Sequence, residues 1–213
     1  AKNVLKNPAE AKFIARFAQR LHKANKIREA YAQAGEHIPV FLIASIADSC
    51  NLTCKGCYAR AGGCCSGKAK EMLSAEGWDG VFGQAEELGI PFVLLAGGEP
   101  LMEPAVLQKA ALHSDVVFPV FTNGTLLRGD MLALFEKHRN LVPVLSIEGN
   151  AATTDARRGE GVYAEVFETV AQLKERGMLF GVSVTVTGEN KEEVTGSAFL
   201  DTLEQSGCGL VFY

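Results

Sequence analysis

The sequence is short of several features that would assign a protein class at once. It has no excess of positive charge, since 21 Lys and Arg residues against 25 Asp and Glu residues give a formal net charge of −4. A nucleic-acid-binding domain needs a basic surface, so no nucleic-acid partner is expected. No apolar run reaches the roughly 20 residues that cross a bilayer. We therefore expect no membrane contact and a cytoplasmic location. Only seven prolines are present, and no Pro-rich or Ser-rich linker divides the chain.

The six cysteines do not have the spacing of a disulfide framework. Such frameworks belong to short secreted chains whose cysteines are spread along the sequence. Here they form a triplet, an adjacent pair and a single residue: Cys50, Cys54 and Cys57; Cys64 and Cys65; and Cys208. Reduced, metal-binding cysteine is the better interpretation.

The triplet has the spacing C-x3-C-x2-C, and it is the most informative feature of the chain. Three thiolates are one too few for a closed four-ligand metal site. On a cubic iron–sulfur cluster, three cysteine ligands leave one iron open. An open coordination position distinguishes a catalytic metal centre from a structural one.

A zinc site is the alternative for the triplet, with a fourth ligand from Cys64, Cys65 or His113. Adjacent residues of an extended chain point apart, so Cys64 and Cys65 are expected to be loop thiols rather than ligands of one small cluster.

The length and composition fit one sizeable domain. The chain has 213 residues, of which 47% are hydrophobic, which is enough apolar residue for a large core. Its first part predicts a helix, with Asn7 as the N-cap, Pro8 at the first helical position and Glu10 two residues later. We expect residues 1–39 to form a helical extension and residues 40–213 to form the main domain.

After residue 39, short apolar runs alternate with amphipathic stretches. The runs are typical of strands buried on both faces of a sheet; they are Val40–Ala47, Phe92–Ala96, Val116–Phe121, Val142–Ile147, Phe180–Val186 and Leu210–Tyr213. The stretches predict helices at Ala75–Leu88, Pro104–His113, Asp130–Lys137, Val162–Arg176 and Glu192–Gln205. Parallel strands need crossover helices, and those crossovers are right-handed. The pattern predicts an α/β fold: a partial (β/α)6 TIM-like barrel of parallel strands with an N-terminal helix. Because the chain stops at the sixth strand, we expect the barrel to be truncated there.

Polar or glycine-rich groups follow five successive predicted strands. The first strand is followed by the segment Cys50–Cys57, called here the cysteine loop. The other four groups are Gly97–Pro100, Thr122–Gly124, Ser146–Gly149 and Thr185–Asn190. In parallel α/β folds the ligand site lies beyond the carboxyl ends of the strands. These five groups are therefore expected to converge on one face.

Several of these residues have an evident chemical use. Gly97 and Gly98 have no Cβ, so a ligand could approach their backbone closely. Ser146 and Glu148 both alternate with Ile147 across the pleat, so both can face a cavity. Arg157 or Arg158 could hold a carboxylate with a bidentate fork, and the sequence does not choose between them.

The cysteine run Cys50–Tyr58, the motif Gly97–Pro100 and the later strand ends together resemble the radical S-adenosylmethionine (radical SAM) superfamily. The stretch Asp155–Gly177 resembles the branch with peptide-modifying (SPASM-type), sulfatase-maturing and molybdopterin-biosynthesis members. The resemblance covers roughly residues 40–213. One departure is Gly56, because the residue before the third cysteine is often aromatic in this superfamily.

The resemblance implies a [4Fe-4S] cluster ligated by Cys50, Cys54 and Cys57, whose fourth iron binds the amino and carboxylate groups of S-adenosylmethionine. One electron then gives methionine and a 5′-deoxyadenosyl radical, which abstracts a substrate hydrogen. No catalytic side chain beyond the cluster is implied. The implied cofactor contacts are Gly97, Gly98 and Glu99 at the amino group, Ser146 and Glu148 at the ribose, Arg158 at the carboxylate, Val186 near the adenine, and Tyr58 and Asn123 around the site.

The resemblance also implies an electron donor such as flavodoxin or ferredoxin, and an oxygen-sensitive enzyme. The substrate stays open between a peptide and a small metabolite. The alternative function is an iron–sulfur binding or electron-transfer module without radical catalysis, which Gly56 would suit. A zinc-stabilised scaffold is a third hypothesis. Asn123 can also be a simple turn former, since Asn-Gly is a common turn pair.

Overall fold

The computed structural model describes residues 7–65 and 72–213, and its centre is one sheet of six parallel strands in the order β1-β2-β3-β4-β5-β6. The strands are β1 Phe41–Ala47, β2 Phe92–Gly97, β3 Phe118–Thr122, β4 Leu141–Ser146, β5 Gly181–Ser183 and β6 Leu210–Phe212. Every neighbouring pair is parallel. Within the described residues β1 and β6 are the two edges, so the predicted partial (β/α)6 barrel is confirmed.

Helices connect the strands as expected. They are α1 Pro8–Gln33, α2 Tyr58–Ala61, α3 Ala75–Glu87, α4 Pro104–Leu112, α5 Gly129–Lys137, α6 Ala151–Arg158, α7 Val162–Glu175, α8 Lys191–Thr195 and α9 Ser197–Ser206. A 3₁₀ turn at Pro100–Met102 follows β2. In the described part of the chain, none of the helices is both long and apolar enough to cross a membrane.

Two predicted elements differ from the structure, and helix α6 was not predicted. The residues of α6 are mostly polar or small, and its buried residue is Thr154. The predicted helix Glu192–Gln205 is two helices that meet at Gly196. The strand predicted over Phe180–Val186 is only three residues long. Beyond it, the Thr185 N–H donates to the Glu148 carboxylate at 3.0 Å instead of extending the ladder.

The core lies between the sheet and the surrounding helices. One of the two central strands, β4, is buried over its first five residues, as expected for a strand covered on both faces. Phe82 of α3 and Phe118 of β3 are fully buried with ring centroids 5.0 Å apart, edge to face. Such packing fixes the helices against the sheet. The strands' carboxyl ends are thereby held as a rigid platform.

Helix α1 lies across the opposite end of the barrel, at the amino ends of the strands. Its Asn7 N-cap accepts a hydrogen bond from Ala9 N, as the sequence predicts. Phe17 packs edge to face on Phe92 at 5.4 Å. Side chains of the cap and the helix donate to carbonyl oxygens just beyond the ends of barrel helices: Asn7 to Arg176, Arg20 to Ser114 and Arg28 to Gly89. These donors satisfy carbonyls that a helix end leaves unpaired. The helix therefore closes the end of the barrel away from the predicted site.

Candidate active site at the carboxyl ends of the strands

A cavity of about 300 Å³ lies at the carboxyl ends of the strands. Ten of the twelve residues singled out from the sequence line it: Cys50, Cys54, Cys57, Tyr58, Gly97, Gly98, Glu99, Asn123, Ser146 and Arg158. The expected convergence of strand ends on one face is thus present. Glu148 and Val186 are not among the described residues that line this cavity. The Val186 side chain is instead 43% exposed.

All three cysteines of the triplet are free thiols on the cavity wall. They do not converge on one point, since within residues 7–65 and 72–213 no three His, Cys, Asp or Glu side chains are placed to hold a single metal ion. A cubic cluster takes each cysteine on a separate iron. The donor set and its placement around one cavity therefore fit such a cluster.

The Cys50 sulfur lies near two N–H groups of the protein. Burial raises the pKa of Cys50, and the neighbouring Glu99 carboxylate adds to this, while the Leu52 N–H, 3.5 Å from its sulfur, opposes it. The Asn123 amide nitrogen lies 4.0 Å from the same sulfur. Two N–H donors directed at a sulfur favour its thiolate form, which is the form that binds metal.

Gly97 and Gly98 are required by the cysteine loop itself. A Cβ on Gly98 would lie 2.0 Å from the Ser49 carbonyl oxygen, and one on Gly97 would lie 2.4 Å from that of Ala47. Gly97 also has φ +131°, a conformation that other residues rarely adopt. The sequence predicts that these glycines admit a ligand, whereas the atoms closest to them are protein backbone. Their missing side chains let the start of the cysteine loop pack on the end of β2.

Glu99 is a buried carboxylate whose oxygens are already bonded. Oε1 accepts from Thr122 Oγ1 at 2.6 Å and from Leu101 N at 3.0 Å, and Oε2 accepts from Asn123 N at 2.8 Å. Burial raises the pKa of Glu99, and these hydrogen bonds act in the opposite direction. The carboxylate is therefore fixed in one orientation at the cavity wall, where a cation could meet it.

Asn123 connects that wall to the cysteine loop. Its Nδ2 donates to Asn51 Oδ1 at 2.8 Å, and Asn51 Nδ2 donates to Thr125 Oγ1 at 2.9 Å. Thr125 Oγ1 in turn donates to Asn123 Oδ1 at 2.8 Å. These three side chains close a hydrogen-bonded ring. Asn123 thus does more than form a turn, because it ties the residue after Cys50 to the end of β3.

Ser146 and Glu148 have different surroundings. Ser146 lines the cavity, and its hydroxyl is 3.2 Å from that of Ser183 on β5. The Glu148 side chain is 1% exposed and forms ion pairs with Arg158 at 2.5 Å and Arg157 at 3.4 Å. Both arginines line the cavity. Both arginines are therefore candidates for the ligand carboxylate.

The adjacent cysteines do not point apart. Cys65 has φ +60°, so the chain is not extended there, and the Sγ atoms of Cys64 and Cys65 are 3.0 Å apart. The Cys64 thiol donates to the Asp48 carbonyl oxygen at 3.0 Å. Burial and the neighbouring thiol raise the pKa of Cys64 to about 12.

His113 is not close to the triplet. It follows α4 at the amino ends of the strands, where Nε2 is 3.0 Å from Asp79 and Nδ1 is 3.1 Å from Glu86. A zinc site that combines His113 with the triplet is therefore wrong, since the two lie at opposite ends of the barrel.

Several lining residues carried no sequence signal. They are apolar or small residues of the strands, namely Ile43, Leu94, Ala96, Phe121 and Ser183. Alternation along each strand could have assigned them to the inner face once the strands were known. A neighbouring cavity of about 930 Å³ shares Arg157 and Thr185 with the first and includes Gly56.

Comparison with known proteins agrees with this geometry. The profile of the radical SAM superfamily matches residues 44–200. The sporulation killing factor maturation protein SkfB of Bacillus subtilis is 30% identical over 175 residues, which cover 79% of this chain and 40% of that protein. Pre-heme d1 synthase of Dinoroseobacter shibae is 31% identical over 157 residues, covering 68% of this chain and 36% of the synthase.

The fold also matches solved structures. The crystal structure of Streptococcus suis SuiB bound to S-adenosylmethionine superposes with a TM-score of 0.70 at 17% identity, covering 82% of this chain and 40% of SuiB. The chain thus spans about 40% of the length of the relatives that it matches.

Proposed function

Because this chain belongs to the radical SAM superfamily, we propose that it carries the catalytic core of an enzyme that cleaves S-adenosylmethionine reductively. The observation that carries the proposal is the meeting of the three triplet thiols with the ends of β2, β3 and β4 around one cavity. Members of this superfamily need a [4Fe-4S] cluster, a reductant and a substrate.

The residues fit these groups in named roles. Cys50, Cys54 and Cys57 would hold the cluster, which supplies one electron to the sulfonium and so gives methionine and a 5′-deoxyadenosyl radical. Gly97 and Gly98, which have no side chain, let the end of β2 pack against the start of the cysteine loop. Glu99, with its carboxylate fixed by three hydrogen bonds, would bind the methionine ammonium by charge.

The other end of the cofactor would lie along β4 and β5. The hydroxyls of Ser146 and Ser183, which are 3.2 Å apart on the cavity wall, would meet the ribose. The adenine would extend into the neighbouring cavity, where Gly56 and Thr187 form part of the wall. Below the site, Leu94 and Phe121 give an apolar floor. Such a floor excludes water from a radical and limits side reactions.

The substrate and the electron donor are further proposals. We favour a peptide substrate, because SkfB is by its name a maturation protein of the sporulation killing factor. A small metabolite is the alternative, since pre-heme d1 synthase is similarly related. A flavodoxin or ferredoxin is proposed as the donor, because cleavage needs a low-potential single electron.

The function is tested by anaerobic iron–sulfur reconstitution, followed by dithionite and S-adenosylmethionine. We expect 5′-deoxyadenosine and methionine in equal amounts. Calorimetric titration with S-adenosylmethionine separates the alternatives, because an electron-transfer module would hold a cluster without binding the sulfonium. Zinc without acid-labile sulfide would support the scaffold hypothesis instead. With deuterated candidate substrates, deuterium in the 5′-deoxyadenosine identifies which class is attacked.

A further inference from the structure

Glu148 is a buried carboxylate with every oxygen engaged by the protein. Oε1 contacts both Arg158 Nη2 at 2.5 Å and Arg157 Nε at 3.4 Å, and Oε2 accepts from Thr185 N at 3.0 Å. Its backbone is held as well, since its N–H donates to Thr154 Oγ1 and its carbonyl accepts from Asn190 Nδ2. With this many contacts, Glu148 joins α6 to the ends of β4 and β5.

The two arginines line the cavity and have more N–H donors than Glu148 uses. Two guanidinium charges face the one Glu148 carboxylate, so this group of three side chains carries a net charge of +1. The Nε atom of Arg158 is buried and has no hydrogen-bond partner among the described residues, and Arg157 Nε, also buried, lies 3.4 Å from Glu148 Oε1. An arginine carries five N–H donors, so each guanidinium can bond Glu148 and an anionic ligand together.

The C-terminal end of α6 is also hydrogen-bonded to the cysteine loop. The Arg157 carbonyl oxygen accepts from the N–H of Lys55, between Cys54 and Cys57, at 2.7 Å. The last residues of α6 therefore couple the positions of the two guanidinium groups to that of the cysteine loop.

We propose that Glu148 is a positioning residue, which holds Arg158 and Arg157 at the cavity wall so that the carboxylate of S-adenosylmethionine meets a fixed cationic site. This role rests on the proposed function and differs from direct contact of Glu148 with the ribose. Two long arginine side chains would otherwise lose considerable rotamer freedom on binding. A buried counter-charge that fixes them in advance removes that cost from the binding step.

Glu148→Gln tests the proposal by changing the charge while keeping the size. The probes are S-adenosylmethionine and its decarboxylated form, which keeps the sulfonium and the adenosine. Dissociation constants for both are measured calorimetrically on anaerobically reconstituted full chain. If Glu148 acts through the arginines, the preference of the wild-type chain for the carboxylated compound falls by about tenfold in the variant, the scale of a charged hydrogen bond. If Glu148 bonds the ribose, both compounds weaken equally and the preference is unchanged, which overturns the proposal.

Further variants separate positioning from simple loss of structure. In a background that carries both Arg157→Ala and Arg158→Ala, Glu148→Gln is expected to cause little further loss of preference, because coupled residues are not additive. Glu193→Gln is the matched control, since that carboxylate also holds α6, through Asn150 N and Thr153 Oγ1, and pairs with no arginine in the described part of the chain. The preference of the Glu193→Gln variant for the carboxylated compound should equal that of the wild-type chain.

If Glu148→Gln does not fold, Glu148→Asp tests the proposal in its place, because aspartate keeps the negative charge but is shorter by one methylene group. An intermediate preference supports the proposal, and equal weakening of both compounds contradicts it. A wild-type chain that binds neither compound refutes the proposed function as well. A changed preference in the control contradicts this inference alone.

Discussion

The side-chain amide of Asn123 donates a 2.8 Å hydrogen bond to the side-chain carbonyl of Asn51, and this contact anchors the cysteine loop to the end of β3. Thr125 closes the ring from the other side. The residue next to the first cluster cysteine is thereby held by a side chain 72 positions away. Outer contacts of this kind orient metal ligands without touching the metal.

Asn123→Ala is expected to weaken cluster binding without unfolding the chain. Loss of the amide frees Asn51 and removes a donor near the Cys50 sulfur. Losses of outer partners typically lower metal affinity about 10–100-fold. Iron and acid-labile sulfide per chain, measured after reconstitution and during chelator challenge, check this. Asn25→Ala, an exposed change on α1, is the control, and equal iron retention in both variants would contradict the anchoring role.

Gly98→Ala is expected to disrupt the site by steric conflict. Its Cβ would lie 2.0 Å from the Ser49 carbonyl oxygen, so the cysteine loop must move. We expect little or no cluster after reconstitution. Gly80→Ala in α3 is the matched control, because its Cβ meets nothing within 4 Å. That change should stabilise the chain by about 1 kcal/mol through helix propensity. Thermal unfolding and the visible absorbance of the cluster distinguish the two outcomes.

Cys54→Ala is expected to abolish both the brown chromophore and the cleavage of S-adenosylmethionine. With one of three protein ligands gone, a cubic cluster would be held by only two cysteines. Cys208→Ala is the comparison, since that thiol bonds the Leu210 carbonyl oxygen away from the cavity. Absorbance and 5′-deoxyadenosine are measured in parallel. A Cys54 variant that retains both would refute the ligand assignment.

Arg139→Met is expected to destabilise the chain by about 3 kcal/mol or more, because it leaves the buried Glu10 carboxylate without its counter-charge. Burial already raises the pKa of Glu10, and Arg139 opposes this rise. Without the arginine the pKa rises further. A carboxyl with a raised folded-state pKa binds its proton first in the folded state. The loss of stability in the variant should therefore become smaller as the pH falls through the folded-state pKa of Glu10.

Urea unfolding of the Arg139→Met variant at pH 5 and pH 8 measures this difference. A double variant, Glu10→Leu with Arg139→Met, should recover most of the lost stability, because an apolar pair can replace a buried ion pair at little cost. A deficit that stays the same at both pH values would show that the loss is one of packing rather than of charge.

Much of the fold could be predicted because its signals are local. The apolar runs and helical periodicities place five of the crossover helices and all six strands, since burial on both faces requires continuous apolar residues. Helix α6 was not predicted because it has few apolar residues, being mostly polar or small. The end of β5 was misplaced because the Thr185 N–H donates to the side chain of Glu148, 37 residues away, instead of to a neighbouring strand.

The sequence by itself determined the cluster-type cysteine spacing, the parallel α/β order and therefore the face on which the strand ends meet. These follow from covalent spacing and from periodic burial, which depend on neighbouring residues alone. Only the tertiary structure decided that Gly98 accommodates the cysteine loop, that Asn123 ties that loop to β3, and that Glu148 faces two arginines. Each of these depends on contacts between residues distant in the chain, and no local pattern encodes how close two such residues come when the barrel forms.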